Sequence, residues 1–272
     1  MVAGSTASRL GRRLATAVAV VAVGLSGDAC DGPVGQPPGA ADSPAPLQQL
    51  SAEQLLPAVA TALAKARTAS FTVTVTTTGS DPAVAAGTLA LEGVLRLDGR
   101  GVDLAASATG DHALEVVLLN RALYVRDEAG GPEWLALDLA DQSHPLSLLG
   151  RTVDPRRLFA AMGTPPVTFV GEEEVGGVPT HHYTVALDPA AYVAALDLPE
   201  GFVRYLPATI PLDLWVDGDH RPVRFRQEVQ SVAAAGGAPV ITATEGTWSD
   251  FGRRVRIVAP PDAETTDDWP GM

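Results

Sequence analysis

Cys30 is the single thiol of a 272-residue chain, and it stands directly behind a basic and then apolar stretch. Alone, it can form neither an intrachain disulfide nor a cysteine-based metal centre. The chemistry left to it is modification of the sulfur. Arg9, Arg12 and Arg13 form a positive n-region, residues 14–25 an apolar h-region, and Ser26, Gly27 and Ala29 put small residues at a cleavage point. A bilayer-spanning helix needs about twenty apolar residues, so residues 1–29 read as a signal peptide rather than a span.

A signal peptide followed at once by Cys resembles a bacterial lipoprotein signal, in which the Cys is diacylated and begins the mature chain. Gly27 stands three residues before Cys30 and Leu25 five before it, whereas the usual signal has Leu at three. Two acyl chains satisfy the two-signal requirement for stable membrane attachment. The expectation is an extracytoplasmic protein held on the outer face of the cell membrane through Cys30, or a secreted one if that Cys is unmodified.

The other residues that could do chemistry are fewer. His181 and His182 are adjacent on an expected strand, where successive side chains point to opposite faces, so they cannot share a metal without distortion. One ring is expected to face solvent and the other to hydrogen-bond within the sheet. Glu172, Glu173 and Glu174 could attract a cation but read as a solvated strand end. Trp215 and Trp248 could stack on a sugar, but beside apolar strand neighbours they read as core. Phosphate-binding loops, nucleophile elbows and zinc-protease motifs are absent from the sequence. No enzyme activity, cofactor or metal is expected.

The elements that would position these residues follow from composition and period. Losing residues 1–29 removes Arg9, Arg12, Arg13 and Asp28, leaving 16 basic and 31 acidic residues. Such an acidic chain is a poor partner for nucleic acid or an anionic membrane surface. Lys65 is the one lysine among 19 basic residues, and Ala, Gly, Val and Pro abound, which points to a GC-rich genome such as an actinobacterium's. Residues 30–49 are rich in Pro, Gly and small polar residues and read as a disordered tether behind the anchor. Residues 50–263 form one domain large enough for a sizeable core, and 264–272 a disordered tail.

That domain opens with a helix: Ser51 and Gln54 have capping-box spacing, and Leu55, Leu56, Val59, Leu63 and Ala66 share a face. The period then changes to two. Strands are expected at 70–78, 88–97, 101–109, 112–119 and 122–126, joined by hairpin turns. Asp154 and Pro155 start a helix through Met162, and Asp188 and Pro189 another through Leu196. Further strands are expected at 167–174, 180–187, 210–217, 223–233, 240–250 and 255–258. Runs of strands with helical inserts make an α+β fold on an antiparallel sheet.

Three segments in order carry a family resemblance: GEEEVGGVPTHHYTVAL at 171–187, PLDLWVDGDHRPVRF at 211–225 and TWSDFGRRVRIVAPPDAE at 247–264. They resemble the signature strands of the LppX/LprG (LppX/LprAFG) type of mycobacterial and actinobacterial lipoproteins, across essentially the whole domain. The resemblance implies a strongly curved antiparallel half-barrel whose concave face is covered by helices around an apolar cavity. It also implies binding of acylated lipids or glycolipids and their transfer within the cell envelope, with an envelope transporter as a possible partner, as in periplasmic lipoprotein carriers.

Such a cavity would be lined by Phe71, Val73, Val75, Leu89, Leu91, Leu95, Leu104, Leu114, Val116 and Leu118 of the first strands, with Leu158, Phe159 and Met162 of the helix after them. The same residues could equally form a solid core. The protein would then be a non-catalytic surface interaction or sensor module.

Overall fold

Helix α1 (Ala52–Ala66) begins where the sequence places it. The Gln54 side chain accepts the Ser51 N–H at 3.1 Å, and the helix ends at Arg67, whose left-handed φ of 67° turns the chain into the sheet. Leu55, Leu56, Val59 and Leu63 form its buried stripe. The computed structural model describes residues 47–79, 86–98, 101–110, 113–127, 133–139, 154–196, 198–231, 239–261 and 265–266. The signal segment, Cys30 and nearly all of the 30–49 tether lie outside them.

Six strands follow α1: β1 (Thr68–Gly79), β2 (Gly87–Asp98), β3 (Gly101–Thr109), β4 (Leu114–Leu119), β5 (Ala122–Asp127) and β6 (Trp134–Asp138). After helix α2 (Pro155–Ala161) come β7 (Val167–Val175), β8 (Val178–Leu187), helix α3 (Pro189–Ala195) and a 3₁₀ turn (Glu200–Tyr205). The chain then completes β9 (Ile210–Asp217), β10 (Pro222–Ser231) and β11 (Val240–Ser249).

These strands are two antiparallel meanders joined along β1 and β11, in the order β6-β5-β4-β3-β2-β1-β11-β10-β9-β8-β7. Strand twist accumulated over so many strands curls an open sheet. Leu123 and Val125 of β5 and Val185 of β8, eight strands apart, belong to the same buried cluster as α1 and α2, so the sheet wraps around the helices. The fold is an α+β half-barrel.

Polar devices pin the helices to this sheet. Asp154 accepts the Arg156 N–H at 3.0 Å, and Pro155 occupies the first helical position of α2. The Arg156 guanidinium pairs with Asp154 and donates to the carbonyls of Asp98 and Gly101, clamping α2 to the ends of β2 and β3. Asp188 caps α3 through the Ala191 N–H at 2.8 Å.

Three features depart from expectation. Strand β6 is too short to announce itself in sequence. Residues 255–258 pair with no strand among the described residues, because both edges of β11 are already taken by β1 and β10. Gly252, at φ 77°, turns the chain past the end of β1, where its N–H donates to the Thr68 carbonyl. In the stretch read as a tail, Thr265–Thr266 form β12, parallel to Trp134 and Leu135 of β6.

Candidate functional site

Period-two alternation delivers one apolar face of the sheet to the helices. Phe71, Val73 and Val75 of β1, Leu91 and Leu95 of β2, Leu104 of β3 and Leu118 of β4 are buried in a single cluster with Leu158 and Phe159 of α2 and Met162 at its C-cap. Leu89, Leu114 and Val116 are half-buried and pack against it. The structure therefore brings all thirteen expected lining residues together. It adds the alternating residues Val185 and Leu187, Leu212 and Leu214, Phe225 and Trp248 from the second meander, and Tyr183 and Tyr192. The signal for these was in the sequence, in the alternation of PLDLWV and HYTVAL.

The helix-covered face is closely packed. Val73, Val125, Val185, Ile210 and Leu214 are fully inaccessible, as are Leu55, Leu56 and Leu63 of α1. The ring of Phe159 meets Trp248 edge-on at 6.4 Å, and Phe225 lies against Trp248 at 5.5 Å. Two donors on this face have no partner, the Gln227 Nε2 and the Trp248 Nε1.

An open cleft of about 1080 Å³ has a different wall. Ser70, Thr72, Ser107, Thr247 and Ser249 supply hydroxyls, Glu92 and Glu115 carboxylates, and Trp134 and Phe251 rings. On their strands the first seven of these alternate with the residues of the buried cluster, so the cleft lies mainly along the face turned away from the helices. Of the expected lining residues only Phe71 and Val116 also border it.

The histidines divide between the two faces of β8. His181 turns inward, 5.1 Å from the Phe169 ring, with its Nδ1 3.3 Å from the Tyr183 hydroxyl. That hydroxyl accepts the Leu50 N–H at 2.9 Å, fastening the start of the domain to β8. Burial pushes the Tyr183 phenol above its ordinary range, and that of Tyr192 further.

Neither ring faces solvent freely, for His182 on the opposite face is also largely covered. It stacks on Trp215 at 4.1 Å, and its Nδ1 lies 2.8 Å from Glu173. Arg224, from the strand on the other side, sets its guanidinium 4.9 Å from the Trp215 ring centre. With a neighbour on each side, that indole has no free face for a sugar, and it is buried on the outer face rather than in the main core. Glu173 stays exposed, as expected of a strand end, but it also accepts the Trp215 Nε1–H at 2.8 Å. That bond first, then the one with His182, holds its carboxyl below the ordinary carboxylate range. Glu172 stays exposed, as expected.

Comparison with solved structures finds likenesses, all with TM-scores under 0.5. The chain is similar to LprF from Mycobacterium bovis, at 17% identity over 77% of this chain and 96% of that one, with a TM-score of 0.49. It is similar to the lipoprotein LppX of Mycobacterium tuberculosis at 16% identity, over 75% and 98% of the two chains, TM-score 0.48. A LolA superfamily protein from Nitrosomonas europaea matches at 12% identity, over 80% and 99%, TM-score 0.28. No family model and no curated protein sequence matches the chain.

Among the described residues no helix is long and apolar enough to cross a membrane, and no cluster of three metal-ligating side chains occurs.

Proposed function

We propose that this protein is an extracytoplasmic lipoprotein that binds acylated lipids or lipoglycans against its helix-covered apolar face and helps transfer them within the cell envelope. The observation that carries the reading is that face. It is one contiguous apolar surface running in sheet order from β5 to β8, roofed by helices of 15, seven and seven residues rather than by a second sheet. A helical roof can part from a sheet without breaking the strand ladder.

Burial supplies the driving force. Each methylene removed from water contributes about 0.8 kcal/mol, so long acyl chains bind without any charged group. Helices α2 and α3 are seven residues each and are fixed at their N-termini by Asp154 and Asp188, so opening is expected at their C-terminal ends, at Gly163 and at the 3₁₀ turn. The mechanism is shielding and release, with no bond made or broken.

The anchor belongs to the same proposal. Diacylation of Cys30 and a tether of about twenty residues would let the domain stand some tens of ångströms from the bilayer while staying on it. Cys30→Ala is expected to move the protein from the membrane fraction to the medium; continued retention would exclude the anchor. A fluorescent diacyl lipid should pass from donor to acceptor vesicles faster with the protein present, and an unchanged rate would contradict the carrier role.

A second reading, a surface interaction or sensor module with a filled core, has the close packing of Val73, Val185 and Leu214 in its favour. It predicts that no lipid is taken up under any condition.

A further inference from the structure

The helix-covered face carries few polar groups, and two of them are donors with nothing to donate to. Gln227 lies on β10 in the same alternation as Phe225, 4% exposed, while Arg226 and Glu228 between and beyond them face outward. Its Oε1 accepts the Tyr192 hydroxyl of α3 at 3.3 Å, and its Nε2 has no partner. Trp248 on β11 is likewise 4% exposed, and its Nε1–H has no partner although Phe159 and Phe225 pack around the ring.

An unpaired buried donor destabilises the fold, a cost that a leucine or phenylalanine in its place would avoid. Buried polar groups are nearly always hydrogen-bonded, so two orphans on one face call for an explanation. Both are N–H donors, both lie on the face proposed to receive acyl chains, and neither is charged. Their complement is a neutral acceptor that arrives with an apolar ligand.

Resting on the lipid-binding reading above, we propose that Gln227 Nε2 and Trp248 Nε1 form a carbonyl-reading subsite. They donate to the ester or amide carbonyls that join acyl chains to a lipid's backbone, and so favour acyl lipids over ether-linked ones. Gln227 is directly opposite Thr244 in the ladder, and Trp248 is four residues further along β11, so about 13 Å of strand separates the backbone positions of the two residues. Gly246 lies between them with the Phe225 ring filling the space where a side chain would be. The subsite is thus two separate polar points on an apolar track, each suited to one carbonyl, rather than one headgroup pocket. Tyr192, which holds the Gln227 amide, comes from α3, so the proposed roof sets the reading group.

The test compares uptake by the full chain from two sets of vesicles, identical except that one contains dipalmitoyl phosphatidylcholine and the other its dihexadecyl ether analogue. The wild-type protein is expected to take up the ester about tenfold better than the ether, the worth of one satisfied donor. The double variant Gln227→Leu with Tyr192→Phe removes donor and tether together and leaves no new orphan. It should lower the ratio of ester to ether uptake toward one, and Trp248→Phe should do the same from the other donor.

Equal uptake of ester and ether by the wild-type protein would overturn the subsite while leaving lipid binding intact, and so would an undiminished preference in both variants. Uptake of neither lipid would remove the lipid-binding reading itself, and the subsite with it.

Discussion

At the scale of single residues, the outer face shows how a charged strand end becomes structural. Glu173 lies in a run of three glutamates, but the Trp215 indole N–H and the His182 imidazole converge on it. Because its folded carboxyl titrates lower than an unfolded one, its contribution is present above the ordinary carboxylate range and fades as pH falls through the lowered value. The fluorescence of Trp215 should therefore change at acid pH, and Glu173→Gln should abolish that change; a titration identical in the variant would contradict the assignment. Gly246 makes a steric prediction. A Cβ there would fall within the Phe225 ring, so Gly246→Ala should destabilise by about 1–3 kcal/mol in denaturant titration, and Phe225→Leu in the same chain should restore part of the loss. An unshifted midpoint would mean that the ring does not lie over the glycine.

Elements were legible where local rules acted alone. Capping residues located the starts of α1, α2 and α3, and alternation located most strands, because both signals are read within a few residues. Strand β6, the 3₁₀ turn and the failed strand at 255–258 were not legible. A five-residue strand has too little pattern, and whether an extended segment pairs depends on which edges are still open, a property of the whole sheet.

The site divided in the same way: alternation identified the residues of the helix-covered face. It could not reveal that the outer faces of β1–β4 and β11 border an open cleft, or that Trp215 is sandwiched, since both depend on strands distant in sequence. The caps themselves are testable. Asp154→Ala removes both the cap and the partner of the Arg156 clamp, and should cost about 1–2 kcal/mol by thermal or denaturant unfolding. A loss well below that would show that α2 is held by its apolar face alone.

At the scale of the molecule, the half-barrel devotes its largest apolar surface to helices rather than to a second sheet. A second sheet would lock that surface. The helices close over it, as the full burial of Val73, Val185 and Leu214 shows, with each roof element joined to the strands by connections at its ends. The acidic surface disfavours spontaneous attachment to an anionic bilayer, so the proposed anchor, rather than charge, would keep the domain beside its lipid source.

Binding of acyl chains beneath the helices is open to native mass spectrometry of the chain from Asp31 onward, before and after organic extraction. The expected result is a bound mass that matches a diacyl or triacyl lipid, disappears on extraction and returns when lipid is added back. A protein that carries no lipid and takes up none would contradict it and leave a filled core.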